Sequence, residues 1–158
     1  MVGVRKTERE RMESDEKQVR QAIEYLLGID KTEHWPATDP PIPMSPEDYG
    51  VVSAMSLGKM NVPTAESMAA LIYGAIHFDD PYVKIACSEA ISDINLKLAK
   101  SIFYLQTMDT DSDVRERAFE LLWNSDTADL GLARSVRDRL LHDPDEFVRS
   151  TASRYIDP

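Results

Sequence analysis

Three segments in the second half of the chain share one residue pattern, and this repeat constrains the fold more than any other feature. Each copy is centred on a valine, Val83, Val114 or Val148, at spacings of 31 and 34 residues. An aspartate lies three positions before each valine, a cation one position after it, and a small residue four positions after it: Asp80, Asp111, Asp145; Lys84, Arg115, Arg149; Cys87, Ala118, Ala152. Self-similarity at a period of this size is typical of stacked helical repeats.

Each position of the pattern has a physical role in a helix. An aspartate before a helix accepts hydrogen bonds from the unpaired N–H groups of the first turn and meets the positive end of the helix dipole. The valine and the residues four, seven and eight positions later fall on one face, as in an amphipathic helix. The small residue allows a paired helix to approach closely. The pattern predicts three antiparallel pairs, with A helices near 64–77, 95–107 and 127–141 and B helices near 80–92, 111–123 and 145–156.

Residues before the repeat predict two more helices joined by an extended loop. Apolar residues recur at helical spacing from Asp15 until Gly28, where a helix would stop. Five prolines then exclude a helix from the interior of 30–46, and Ser45-Pro46 has the form of a new helix start. We expect 1–14 to be a flexible lead-in and 15–158 to be a single domain. Trp35 either packs its loop onto the helices or faces a partner.

The pattern resembles the HEAT-repeat family. The closest stretch, 140–152, has paired leucines, an acidic turn and a Val-Arg-x-x-Ala helix start, and the middle copy matches through Asp109, Asp111, Val114, Arg115 and Ala118. The first copy departs most, because Phe78 replaces the first turn aspartate and Cys87 replaces alanine. The resemblance covers 64–158 and implies an all-α fold: a short, right-handed α-solenoid of stacked antiparallel helical pairs. The segment 15–62 would be a degenerate capping repeat.

The net charge of −10 narrows the classes of partner. Residues 1–20 have a net charge of +1, so the remainder has −11. Such a surface repels the phosphate backbone of nucleic acids and favours basic partners. The sequence has no apolar run long enough to cross a bilayer and no apolar segment typical of a signal peptide. With a single cysteine, Cys87, these features predict a cytoplasmic protein that binds neither membranes nor nucleic acid.

The sequence predicts no metal, cofactor or catalytic site. Asp109-Thr110-Asp111-Ser112-Asp113 resembles the opening of an EF-hand calcium loop, with Glu120 at its twelfth position. Val114 occupies the place where that loop needs glycine, so we interpret these acids as turn and capping residues. The three histidines lie in separate segments, and Gly58-Lys59 lacks the other residues of a phosphate loop. Catalytic acids can come from distant segments, so an enzyme is disfavoured without being excluded.

The recurring cations Lys84, Arg115 and Arg149 have two interpretations. They form a basic row that binds a partner, or each pairs with an aspartate of a neighbouring turn and holds the repeats in register. We favour the second interpretation, because the aspartates belong to the same repeated motif.

The HEAT resemblance implies that B helices line a concave face, and we predict the partner-binding residues there. They are Ile85, Ser88, Glu89 and Ser92 from the first pair, Glu116, Phe119, Glu120 and Trp123 from the second, and Ser150, Ser153 and Arg154 from the third. Phe119 and Trp123 share one helix face. They are either an exposed aromatic anchor in an acidic groove or part of the core.

These features together predict a non-catalytic protein-binding module with an acidic concave surface. One version is an immunity protein or inhibitor that neutralises a basic effector. One alternative is a scaffold or chaperone-like subunit of a larger assembly. Another, implied by the diversity of the family, is a HEAT-like lyase or glycosylase. The sequence leaves the oligomeric state open.

Overall fold

The computed structural model describes residues 8–27, 46–59, 63–125 and 130–156, which form eight α-helices and no β-strand. The all-α class is therefore confirmed. The helices are α1 (Glu8–Leu26), α2 (Pro46–Gly58), α3 (Ala65–His77), α4 (Pro81–Ile94), α5 (Leu96–Gln106), α6 (Ser112–Ser125), α7 (Gly131–Leu140) and α8 (Glu146–Arg154).

The predicted boundaries hold within a few residues for most of the helices, and α1 is the main exception. It begins at Glu8 and not at Asp15, so half of the segment expected to be a flexible lead-in is helical. The proline-rich loop, apart from Pro46, and its Trp35 lie outside the described residues.

The three aspartate caps predicted by the repeat are present, whereas Gly28 and Ser45, the predicted stop of α1 and start of α2, lie outside the described residues. The Asp80 side chain accepts a hydrogen bond from the Val83 amide at 2.9 Å. Asp111 and Asp145 do the same for Val114 and Val148, and each also accepts the amide one residue earlier. The N terminus of α3 has a reciprocal capping box between Thr64 and Ser67. Each aspartate of the repeat therefore fixes the residue at which a B helix starts.

Helices adjacent in sequence pack against each other, and B helices also contact the next B helix. The pairs are α1 with α2, α3 with α4, α5 with α6, and α7 with α8. Helix α4 contacts α2 and α6, and α6 contacts α8, while α1 and α5 both contact α3. One hydrophobic cluster, with buried residues from all eight helices, connects these layers.

Small residues set the close approach of α4 to its neighbours. A Cβ added to Gly58 of α2 would lie 2.8 Å from the Cα of Ala90, and one added to Gly74 of α3 would lie 2.5 Å from Sγ of Cys87. Both distances are shorter than van der Waals contact. The small residue that the repeat places four positions after its valine, Cys87 in α4, therefore meets a glycine of the paired helix.

The repeated valines and the small residues four positions later are all buried, as the pattern predicts. The pattern also places the residue eight positions after each valine on the buried face, but Ile156 is exposed. Ile76 of α3 and Leu132 of α7 are exposed as well. Ile156 is exposed because α8 ends at Arg154, so the helical face does not extend to it.

Candidate functional site

Two ion pairs connect successive helical pairs at the starts of the B helices. Lys84 Nζ of α4 lies 2.7 Å from Oδ2 of Asp109, in the turn before α6. Arg115 of α6 binds Asp143, in the turn before α8, through Nη2 to Oδ1 at 2.7 Å and Nε to Oδ2 at 2.9 Å. The interpretation that these cations pair with aspartates of neighbouring turns is confirmed for Lys84 and Arg115. We call Lys84, Asp109, Arg115, Asp143 and Arg149 the charge ladder.

Residues of the charge ladder also shape their own turns. Asp109 Oδ1 accepts the Asp111 amide at 3.0 Å, and Asp143 Oδ1 accepts the Asp145 amide at 2.9 Å. Arg115 Nη1 donates to the carbonyl oxygens of Asp109 and Thr110, both at 2.9 Å. One arginine therefore closes the turn before its own helix and binds the turn before the next.

The ion pairs shift the pKa values of their members. Burial opposes ionisation of Asp143, but hydrogen bonds from Arg115 and the Asp145 amide outweigh it and hold its pKa below the usual range. Asp109 has a lowered pKa for the same reasons, with Lys84 as its cation. The hydrogen bonds to Asp143 in turn raise the pKa of Arg115. Asp109 and Asp143 are therefore charged at neutral pH, and the ion pairs of the charge ladder account for their lowered pKa values.

Three of the predicted partner-binding residues are buried, which corrects the expectation that they line an accessible groove. Ser88 is fully buried, and its Oγ lies 2.8 Å from Oε1 of Gln106 in α5. Phe119 and Trp123 are only 0% and 8% exposed. Their rings pack against Tyr155, with centroids at 5.1 Å and 5.4 Å. The anchor interpretation is therefore wrong, and the alternative that both aromatic residues belong to the core is confirmed.

The other predicted residues are exposed or half-exposed: Ile85, Glu89, Ser92, Glu116, Glu120, Ser150, Ser153 and Arg154. The acids among them are paired with cations. Arg117 lies 2.8 Å from Glu89 and 3.1 Å from Glu120, and Arg154 lies 3.7 Å from Glu116. Arginines therefore neutralise part of the negative charge of these residues, and an acidic concave surface stays a prediction. Whether these residues bind a partner stays a prediction.

Among the described residues, another group of acids lies in the three turns that connect an A helix to a B helix. These segments, 78–82, 107–113 and 141–147, contain no Lys or Arg and eight acids: Asp79, Asp80, Asp109, Asp111, Asp113, Asp143, Asp145 and Glu146. The two ion pairs of the charge ladder hold the turns side by side. We call this surface the A–B turn edge.

Exposed aromatic side chains accompany the acids on the A–B turn edge. Tyr82 and Phe147 occupy the same position of the repeat, directly before the valine, and are 67% and 77% exposed. Met108 and Leu141 of the same turns are also exposed. Our sequence reasoning missed Tyr82 and Phe147 because it sought the binding surface along the B helices. The signal in the sequence was that both residues lie two positions after a capping aspartate.

The described residues contain neither a metal-ligand cluster nor a reactive cysteine. They contain no group of three or more His, Cys, Asp or Glu residues placed to hold a metal ion. Burial raises the pKa of the Cys87 thiol to about 12, so this cysteine is protonated at neutral pH. No helix among them is both long and apolar enough to cross a membrane.

Comparisons with known proteins do not place the chain in a family. No protein-family model matches it, and no curated protein gives a match.

Proposed function

We propose that this chain is a HEAT-like helical-repeat domain that binds a basic partner protein through its A–B turn edge and has no catalytic role. The observation that carries the proposal is the exposure of Tyr82 and Phe147 at equivalent positions among eight acids. Aromatic residues are enriched at binding hot spots. Burial of the exposed Phe147 ring by a partner would be favourable, because it removes apolar surface from water.

The contacts between helices support a solenoid of four stacked pairs. B helices contact one another in the order α2, α4, α6, α8, as neighbouring layers of a solenoid do. The charge ladder adds an equivalent ion pair between the second and third and between the third and fourth pairs. Helices α1 and α2 then form the capping pair, packed on α3 and α4.

The neutralising version of this function fits the charge of the edge. An inhibitor or immunity protein must cover the basic surface by which an effector reaches its substrate, and an acidic field accelerates such an encounter. In this version the protein acts in the cytoplasm and binds neither nucleic acid nor membranes. The lone, buried Cys87 is compatible with a reducing compartment.

Affinity purification from the native host, followed by mass spectrometry, tests the proposal. The edge variant carries Tyr82→Ser and Phe147→Ser. The control carries Leu96→Ser and Leu132→Ser, which are also exposed, at 44% and 47%, but lie at the starts of α5 and α7, away from the A–B turns. Wild type and control should recover the same basic partner, and the edge variant should lose it while keeping its melting temperature.

Two results would contradict this proposal. Retention of the partner by the edge variant would show that the aromatic residues do not contact it. Recovery of an acidic partner would remove the electrostatic argument. Recovery of several stoichiometric subunits would instead favour the scaffold alternative.

A further inference from the structure

Arg149 of α8 occupies the same position as Arg115 of α6 and makes the same bonds to its own turn. Its Nη1 donates to the carbonyl oxygens of Asp143 at 2.7 Å and Pro144 at 2.9 Å. In Arg115 these bonds leave Nε and Nη2 free to bind Asp143. Within the described part of the chain no carboxylate occupies the corresponding place beside Nε and Nη2 of Arg149. Its guanidinium is therefore oriented for a second set of bonds that it does not make here.

Arg149 and its neighbours on α8 are more exposed than the equivalent residues of α4 and α6. Lys84 and Arg115 are buried, whereas Arg149 is half-exposed. Five positions after the valine, Ser88 and Phe119 are buried by the following helical pair, whereas Ser153 is exposed. The outer face of α8 is thus the same surface that α4 and α6 bury against the next pair, and within 130–156 nothing covers it.

The other end of the charge ladder differs from this one. Helix α2 contains no Lys or Arg. The turn that follows α3 has Phe78 at the position of Asp109 and Asp143, so there both the cation and its carboxylate are missing. At α8 the cation is present and its guanidinium is held in place by two backbone carbonyls.

We propose that the outer face of α8 docks a helical hairpin of a partner protein, and that an aspartate in the turn of this hairpin binds Nε and Nη2 of Arg149. Two arguments support this occupant. The face continues the interface that joins the helical pairs within this chain. The free edge of a guanidinium matches a carboxylate in a two-bond geometry. The carboxylate of Asp143, whose carbonyl Arg149 binds, is already paired with Arg115. The proposed site lies on the outer face of α8 and takes an acidic group, so it does not depend on the function proposed for the A–B turn edge.

A defined probe tests the proposal: a second copy of residues 130–156 joined by a flexible linker to the C terminus of the full chain. This copy carries its own equivalent of Asp143. We expect it to dock on α8, which hydrogen exchange would detect as protection of both the added helices and α8. Arg149→Gln in the parent chain, or Asp→Asn at the equivalent of Asp143 in the added copy, should each reduce the docked population roughly 5- to 30-fold. The double variant should lose no more than either single one.

The design remains informative if Arg149→Gln disturbs α8, because the Asp→Asn change leaves the parent chain untouched. Protection of the added copy that is unaffected by the Asp→Asn change would overturn the role of Arg149. An added copy that stays unprotected in the unaltered fusion would overturn the docking face itself.

Discussion

At the scale of single residues, Arg115 has the most consequential contacts in the structure. Its side chain is buried and makes four hydrogen bonds, two to the Asp143 carboxylate and two to backbone carbonyls of the preceding turn. Removing one member of a buried ion pair costs much more than removing an exposed one, because the remaining charge is left without a partner. Arg115 therefore joins α6 to the turn before α8.

We predict that Arg115→Ala lowers the free energy of unfolding by about 3 kcal/mol, because it leaves Asp143 buried without its cation. Arg117→Ala is the control, since Arg117 lies on the same helix and its ion pairs with Glu89 and Glu120 are more exposed. Its cost should be about 0.5 kcal/mol. Urea denaturation of both variants measures the difference. Equal losses would show that the charge ladder has no special weight.

The pKa of Asp143 makes a second residue-level prediction, for which the sign is fixed. A carboxyl with a lowered folded pKa adds stability above its unfolded pKa, about 3.9, and this stability is lost as the pH falls through the folded value. Asp143→Asn should therefore be less stable than wild type at pH 7, and the gap should narrow below about pH 4. Chemical denaturation in steps of roughly half a pH unit, from about pH 2.5 to about pH 7, measures the difference in stability between the two proteins. A gap that stays constant down to the lowest pH would mean that the carboxylate is not stabilised in the folded protein.

At the scale of helices, close packing around α4 depends on residues without large side chains. Gly74 faces Cys87, and Gly58 faces the backbone of Ala90. Glycine normally weakens a helix relative to alanine by about 1 kcal/mol. These glycines are therefore useful only because of the space they leave for the neighbouring helix.

Gly74→Ala should consequently destabilise the protein, by about 2 kcal/mol, although alanine is the better helix former. Its Cβ would lie 2.5 Å from Cys87 Sγ, so the buried Cys87 side chain or the two helices would have to shift. Cys87→Ala removes that sulfur. The stability lost on adding Gly74→Ala to the Cys87→Ala variant should therefore be much smaller than the stability lost on adding it to the wild type. Thermal melts of the single and double variants provide the comparison. A stabilising effect of Gly74→Ala alone would contradict the packing that we describe.

Helix-level features also show what the sequence could and could not reveal. Capping aspartates and the apolar face are local patterns, so the helices of 64–158 and their caps could be predicted from single segments. The burial of Phe119 could not, because it depends on contact with Tyr155, 36 positions away, which the periodicity of one helix does not report. The equivalent residue of α8, Ser153, is exposed. This position of the repeat is therefore buried in α4 and α6, where a described helical pair follows, and exposed in α8.

At the scale of the whole molecule, the charge ladder joins the turns that contain eight of the acids among the described residues. It aligns the A–B turns, whose eight acids face only three ladder cations, while the acids of the B-helix face are paired with Arg117 and Arg154. The net charge of −10 predicted an acidic surface, and among the described residues eight acids lie in the three A–B turns. Tyr82 in the first of these turns and Phe147 in the third are exposed, and in our proposal they add apolar contact to the electrostatic attraction.

The dissociation constant of the purified complex with its basic partner tests this account most directly. A second edge variant, carrying Asp79→Lys, Asp113→Lys and Glu146→Lys, should be compared with a second control, which carries Glu16→Lys, Glu66→Lys and Asp93→Lys. All six acids are exposed, and both variants change the net charge equally. We predict binding at least roughly tenfold weaker for the edge variant and within about twofold of wild type for the control, because nearby charges act more strongly than distant, screened ones. Equal weakening in both variants, or none in the edge variant, would contradict the A–B turn edge as the binding site.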